Sequence, residues 1–107
     1  MIVVTMNDIP GYEVEEVIGE VFGLTVRSRN VGSYMLSALR SLFGGELRGM
    51  TQMLIDCRTQ GIDRLIAEAE AKGANAIIAM RFDSGQLGSG WNEICAYGTA
   101  VKVRKVA

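Results

Sequence analysis

The chain has 107 residues, of which 49% are hydrophobic, and its 11 basic and 12 acidic residues give a formal net charge of −1. This length corresponds to one domain over residues 1–107. The near-neutral charge argues against a nucleic-acid partner and against charge-driven membrane binding. Two cysteines are too few for a disulfide framework, and the N-terminus lacks a signal peptide, so we expect a cytoplasmic protein.

The N-terminal part of the chain predicts a short edge strand followed by one long strand. The β-branched run Ile2–Thr5 is the first strand, and the turn residues Asn7–Gly11 separate it from a strand over Tyr12–Arg27. Gly19 and Gly23 inside the long strand indicate a bulge, a bend or a close backbone approach. The apolar residues on one face of this strand are Tyr12, Val14, Ile18, Phe22, Leu24 and Val26, with Val17 and Val21 on the other.

Two helices are predicted in the middle of the chain. A short helix over Tyr34–Phe43 is followed by Gly44 and Gly45, and a long helix over Met50–Lys72 is followed by Gly73. The long helix carries two apolar stripes. The stripe predicted to face the core contains Ile55, Ile62, Leu65, Ile66 and Ala69, and the other contains Met50, Met53, Leu54, Cys57 and Gly61. The second stripe predicts contact with the short helix or with a neighbouring subunit.

Two further strands complete the predicted fold. Ala74–Asp83 is apolar on both faces and therefore predicts a central strand, Ser84–Gly90 a loop, and Trp91–Val103 the last strand. The order of elements indicates an α/β fold of the α+β type, with a mostly antiparallel sheet backed by one long and one short helix. Such long strands expose edges that pairing between subunits would protect.

Five segments, taken in this order, resemble one protein family. They are IPGYE (Ile9–Glu13), VRSRNVG (Val26–Gly32), FGGELRG (Phe43–Gly49), EAEAKGANAII (Glu68–Ile78) and AYGTAVKV (Ala96–Val103). With them the chain resembles the YbjQ-like family, whose members are sometimes labelled heavy-metal-binding. The resemblance implies a dodecin-like, two-layer sandwich assembled as a ring-shaped homopentamer. It implies no known reaction and no particular cofactor.

A basic segment follows an acidic one. Arg27 and Arg29 belong to a stretch of four arginines that contains one acid, whereas the preceding residues 8–20 contain five acids and no base. Arg27, Ser28, Arg29 and Asn30 are therefore a candidate anion site, because guanidinium groups bind carboxylates and phosphates through paired hydrogen bonds. The alternative is charge complementarity between the basic and acidic segments, within one subunit or across an interface.

Metal binding rests on Cys57 and Cys95. The chain has no histidine, and its cysteines lie on different predicted elements without a CxxC spacing. The simpler interpretation is two buried thiols that act as small apolar side chains. The alternative is a soft-metal site of cysteine and methionine at a subunit interface.

Catalysis has little support in the sequence. No histidine is present to activate a nucleophile, and no motif brings together the carboxylates of Glu15, Glu16, Asp56 and Glu93. Glu93 is the one acid/base candidate, because it shares a strand face with apolar residues. The sequence therefore predicts a cytoplasmic, ring-forming homo-oligomer without catalytic activity that binds a small anionic ligand or a protein partner. The alternative is binding or storage of a soft heavy metal.

Overall fold

The computed structural model describes residues 1–28, 48–86 and 91–106. This part of the chain forms β1 (Ile2–Val3), β2 (Tyr12–Ser28), α1 (Arg48–Ala71), β3 (Ala76–Gln86) and β4 (Trp91–Lys105). The strands lie in the order β1-β3-β4-β2, with β1 parallel to β3 and the other two pairs antiparallel. The α+β fold and the mostly antiparallel sheet are confirmed. The short helix predicted over Tyr34–Phe43 lies outside the described residues.

Several elements extend beyond their predicted bounds. The helix begins at Arg48, two residues before the predicted start, and β4 continues to Lys105. Ser84–Gln86 was predicted to be loop but belongs to β3, because these residues pair in register with Ile94, Glu93 and Asn92 of β4. Cross-strand pairing thus outweighs the low intrinsic strand preference of this glycine-containing stretch.

A tight turn joins the N-terminal segment to β2. The N–H of Tyr12 donates to the carbonyl oxygen of Ile9 over 3.0 Å. Pro10 is the first central residue, and Gly11 is the second with φ at 81°. This is the arrangement of a type II turn, in which proline sets the first backbone angle and glycine accepts the positive second one. The predicted turn is confirmed.

The helix α1 ends in a Schellman motif. Gly73 has φ at 86°, its N–H donates to Glu70, and the N–H of Ala74 donates to Ala69, each over 3.0 Å. These two bonds satisfy carbonyl groups that the end of a helix leaves without partners. The prediction of Gly73 as the residue that ends the helix is confirmed, and the chain turns directly into β3.

The face of α1 that packs on the sheet differs from the predicted core stripe. The residues buried there lie four apart and are Cys57, Gly61, Leu65 and Ala69. Leu65 and Ala69 come from the predicted core stripe, whereas Cys57 and Gly61 come from the second stripe. Ile55, predicted to be core, is 51% exposed. The buried face differs from the predicted one because Gly61 has no side chain and lets the helix approach β2 closely there. The distribution of apolar residues alone does not identify this face. No helix in the described ranges has the length and apolar character needed to cross a bilayer.

Candidate functional site

The helix covers only one of the two faces of the sheet. On β2 that face carries Val21, Gly23 and Thr25, and on β4 it carries Ala96 and Ala100, all buried. Of the apolar residues that the sequence assigned to the opposite face of β2, Phe22, Leu24 and Val26 are exposed. Ile18 of the same predicted set lies at a bulge and packs against the core beneath α1. The covered face is built largely from small side chains, because α1 lies close to it.

The N-terminal segment covers one end of the opposite face. Ile9 is 8% exposed and belongs to a second buried cluster with Ala76, Val101 and Val103. Val4 packs against this cluster, and its N–H donates to the carbonyl oxygen of Ile77 over 3.0 Å. Residues 4–11 therefore close this end of the sheet, while the other end is not covered by any part of the chain that the structure describes.

The uncovered end carries a group of apolar side chains in register, here called the open face: Phe22, Leu24, Val26, Cys95 and Tyr97. Phe22 pairs with Tyr97, and Leu24 pairs with Cys95. Phe22, Leu24, Val26 and Tyr97 are 45%, 45%, 46% and 37% exposed. Contiguous exposed apolar surface on a small protein marks an interaction site more often than chance. The open face is therefore a candidate interaction surface.

Charged residues border the open face by the same register. Glu93 pairs with Val26, and Asp83 pairs with Cys95. Arg81 pairs with Tyr97. Because cross-strand partners lie on the same face of a sheet, these side chains surround the apolar group. Burial raises the pKa of the Cys95 thiol, and the negative charges of Glu93, Asp83 and Glu20 raise it further.

Helix side chains bond the outer edge of β2. The N–H of Phe22 donates to Glu68 Oε2 over 2.8 Å, and Arg64 donates to the carbonyl oxygen of Leu24. Lys72 donates to the carbonyl oxygen of Glu20 over 3.5 Å and lies 3.2 Å from Glu68. The hydrogen bond from Phe22 has the largest effect on the pKa of Glu68 and lowers it. Burial raises this pKa by a smaller amount, and Lys72 lowers it further. This stretch of edge is thus less available for pairing with another strand.

The predicted anion site falls at the end of β2. Arg27 and Ser28 are its last two residues and pair with Asn92 and Trp91. Arg29, Asn30 and Arg40 lie outside the described residues, whereas Arg48, the last arginine of the segment, begins α1. This prediction therefore stays a prediction. The alternative was pairing between the acidic and basic segments. In the described residues the acidic segment contacts Arg104, which lies 2.8 Å from Glu13 and 3.9 Å from Glu15, but Arg104 is not part of the basic segment.

The two cysteines lie on opposite sides of the sheet. Cys57 is 2% exposed on α1, and its carbonyl oxygen accepts a hydrogen bond from Thr25 on the covered face. Cys95 pairs with Leu24 on the open face. Neither thiol forms a disulfide, and one chain cannot bring the two thiols to a common metal ion. The described residues also contain no group of three or more His, Cys, Asp or Glu side chains placed to hold a metal.

The candidate carboxylates are likewise separated. Asp56 lies on α1, where it accepts a hydrogen bond from Gln52 over 2.9 Å. Glu93 lies on the open face, on the far side of the sheet from α1, and is half-buried. Glu15 lies 3.9 Å from Arg104. No pair of these carboxylates shares a cleft, so the arrangement supplies no acid and base acting on a common substrate.

Sequence patterns missed a small cleft between α1 and the β3–β4 hairpin. Its volume is about 150 Å³, and it is lined by Leu54, Arg58, Phe82, Asp83, Ser84 and Ile94. It forms because α1 lies over β2 and β4 and has least contact with β3. The guanidinium of Arg58 lies over the ring of Phe82, 5.1 Å from its centroid. No short-range signal links Arg58 to Phe82, because the contact depends on how the helix crosses the sheet.

Comparisons with known proteins agree with this architecture. The model of a family described as "Putative heavy-metal-binding" matches residues 1–104. A UPF0145 protein of Acidothermus cellulolyticus is 58% identical over 99% of this chain and 98% of its own length. Another from Streptomyces coelicolor is 54% identical over 98% of this chain and 99% of its own.

A distant structural relative shows the same fold. The crystal structure of a protein of unknown function from Pediococcus pentosaceus, of the DUF74 family, superimposes with a TM-score of 0.61. It covers 97% of this chain and 98% of its own, at 13% identity. The family match along the sequence, together with these relatives, shows that this chain belongs to the YbjQ family.

Proposed function

We propose that this chain is the subunit of a non-catalytic homo-oligomeric ring, and that the open face is the surface through which copies associate. The observation that carries the proposal is the in-register group formed by Phe22, Leu24 and Tyr97, each more than a third exposed in the single chain. Burying such side chains stabilises an association by roughly 25 cal/mol per Å² of apolar surface. The homopentamer implied by the family resemblance is the proposed stoichiometry.

The shape of the chain supports the same proposal. The Cα radius of gyration is 17.2 Å, whereas a compact domain of this length has a value of about 13 Å. The described strands β2 and β4 extend past the end of the sheet that the N-terminal segment covers. In this region β2, β4 and β3 pair as three strands, and their apolar open face gains stability from packing against another copy.

In this proposal the assembled ring works in the cytoplasm and binds a small anionic ligand or a protein partner. The anion site would use Arg27, Ser28, Arg29 and Asn30, repeated once per subunit. Repetition around a ring concentrates positive charge and strengthens the attraction of an anion. Cys57 and Cys95 lie on opposite sides of the sheet and form no disulfide with each other, which agrees with a reducing compartment.

The assembly is tested by placing a charge in the open face. We expect Leu24→Glu to dissociate the oligomer, because the new carboxylate would be desolvated beside Glu93 and Asp83. Sedimentation velocity reports the change in mass, and circular dichroism checks that the subunit stays folded. The matched control is Ile55→Glu, which places the same charge at an exposed apolar position of α1. Dissociation by Ile55→Glu together with an intact Leu24→Glu oligomer would contradict the proposal.

Soft-metal binding is the second candidate, since the description of the family names it. Because Cys57 and Cys95 lie on opposite sides of the sheet, the metal would have to bind between copies, through Cys95 of the open face. The raised pKa of Cys95 opposes formation of the thiolate that such a metal needs. Native mass spectrometry after incubation with Cu(I) tests this, with loss of the metal adduct expected in Cys95→Ser but not in Cys57→Ser.

A further inference from the structure

The cleft beside Arg58 combines one cation with an apolar lining. Leu54, Phe82 and Ile94 supply hydrocarbon surface, and Ser84 supplies a hydroxyl. Asp83 also lines the cleft, but it pairs with Cys95 of the open face. Its carboxylate therefore belongs to the other side of the sheet by strand alternation. Among the lining residues that the structure describes, Arg58 is then the one charged side chain left on the cleft side.

Arg58 differs from the other arginines whose side chains are described. Arg64 donates to Leu24, Arg81 to Thr5 and Arg104 to Glu13. The described residues offer Arg58 no hydrogen-bond or ion-pair partner, only the face of Phe82. The helix itself explains this. The residues one turn before and after Arg58 are Leu54, Ile55, Gly61 and Ile62. None of these has a side chain that could accept a hydrogen bond or form an ion pair.

The contact with Phe82 leaves the guanidinium of Arg58 with hydrogen-bond donors for a ligand. A guanidinium above an aromatic ring is attracted to the ring face, and its five N–H groups are more than this contact can use. Those donors match the two oxygens of a carboxylate, with which arginine forms paired hydrogen bonds. The ring therefore holds the cation at the cleft while N–H donors remain for a carboxylate.

We infer that this cleft binds a small monocarboxylate with a short branched hydrocarbon body. The carboxylate would bond Arg58 and the hydroxyl of Ser84, and the hydrocarbon would lie against Leu54 and Ile94. A volume of about 150 Å³ is the size of a cavity that accepts benzene, so the body has about six carbons. The cleft is on the covered side of the sheet, opposite the open face, so the inference does not depend on how the chain assembles.

Three probes with similar shape but different charge distinguish binding through the carboxylate from binding through apolar contact alone. Isocaproate is an anion, isocaproamide is neutral, and isoamylamine is a cation with a similar branched body. Titration of the oligomer as purified, followed by methyl NMR of Leu54 and Ile94, reports occupancy at the cleft itself. We expect isocaproate to shift both methyl signals with a dissociation constant on the order of 1 mM. The amide and the amine should leave these signals unchanged at that concentration.

Variants at Arg58 assign the anion contact. Arg58→Gln should weaken isocaproate binding at least tenfold, and Arg58→Lys should retain part of it, because lysine keeps the charge but not the paired geometry. Arg104→Gln removes the same charge from the distant end of the sheet and should leave binding unchanged. Three results would each overturn the inference: isocaproamide binds as well as isocaproate, Arg58→Gln leaves the affinity for isocaproate unchanged, or isocaproate shifts no methyl signal even at about tenfold higher concentration. None of these results would affect the proposed assembly.

Discussion

Gly23 in β2 and Gly61 in α1 mark the closest approach between the helix and the sheet. A Cβ atom added at Gly23 would overlap the carbonyl oxygen of Gly61 and lie 2.6 Å from the backbone nitrogen of Leu65. A Cβ atom at Gly61 would meet Gly23 O at 3.5 Å and Ala96 Cβ at 3.7 Å, which are ordinary contacts. The two glycines therefore have different tolerances, although both lie at the same contact.

Alanine substitutions test this asymmetry. Gly23→Ala should lower the free energy of unfolding by at least about 2 kcal/mol, because helix backbone must move to admit the methyl group. Gly61→Ala should be neutral or raise it by up to about 1 kcal/mol, since alanine favours helix. Gly85→Ala, where the added atom meets nothing within 4 Å, is the control. The measurement is urea unfolding at one protein concentration, and equal losses in Gly23→Ala and Gly85→Ala would refute the packing argument.

Glu68 makes the stability of the chain depend on pH. Its pKa in the folded chain lies below its ordinary value of 4.5. A carboxyl with a lowered folded pKa contributes stability that is present above the unfolded value and is lost as pH falls through the folded one. This stability comes mainly from the N–H of Phe22, which donates to the carboxylate.

The variant Glu68→Gln isolates this effect. Glutamine still accepts a hydrogen bond but carries no charge, so the unfolding free energy at neutral pH should decrease. Its decline between about pH 5 and pH 3 should also become shallower. Urea unfolding across this range measures both. Glu70→Gln, on an exposed position of the same helix, should keep the slope of the unmodified protein. If the unfolding free energy of Glu68→Gln fell with pH as steeply as that of the unmodified protein, another group would be responsible for the pH dependence.

Local sequence predicted some residue roles and not others. Gly73 and the Pro10–Gly11 turn were predictable, because a cap and a turn depend on neighbouring residues. Gly23 was predicted to mark a bulge, bend or close approach, and the close approach is confirmed. Its partner Gly61 and the bond from Phe22 to Glu68 were not predicted. These contacts join residues about 40 positions apart, and only the packing of α1 on the sheet brings them together.

At the scale of elements, the side chain of Asn75 joins the end of α1 to β4. Its Nδ2 donates to the carbonyl oxygen of Val103 over 2.8 Å, and its Oδ1 accepts from the N–H of Val103 over 2.8 Å. The amide thus pairs with the strand as another strand would. The segment EAEAKGANAII therefore has a physical role, since Gly73 ends the helix and Asn75 fixes the chain that enters β3.

Two variants test the two hydrogen bonds between the side chain of Asn75 and the backbone of Val103. Asn75→Ala removes both hydrogen bonds and should lower the free energy of unfolding by about 1–2 kcal/mol. Asn75→Asp keeps the acceptor for the N–H of Val103 but places a negative oxygen against its carbonyl, so it should be no better than alanine. Asn7→Ala, in the exposed N-terminal turn, is the control. An Asn75→Asp protein as stable as the unmodified one would contradict the paired geometry.

The element order was predictable, but the covered face of the sheet was not. Both faces of β2 carry apolar residues, and both stripes of α1 are apolar, so periodicity alone left several ways to combine them. Bulges between Val14 and Glu16 and between Val17 and Gly19 change the alternation along β2. Small residues on α1 and β4 decide the outcome, because they permit the closest packing.

At the scale of the whole molecule, the sheet is stabilised unevenly along its length. One end is covered on both sides, by α1 and by residues 4–11, whereas the other end leaves the open face uncovered in the part of the chain that the structure describes. The radius of gyration of 17.2 Å reflects this extended form. We therefore place the assembly surface at the open face, and the candidate ligand cleft at the opposite side of the same hairpin.

Native mass spectrometry of the unmodified protein tests the central claim most directly, because it counts the subunits of the assembly without a label. The account predicts a species with the mass of five 11.6 kDa chains as the main form at low micromolar concentration. A main form with the mass of one chain would contradict it, since the open face would then be exposed to water in solution. A ring with a number of subunits other than five would agree with the proposed assembly surface but would refute the pentamer.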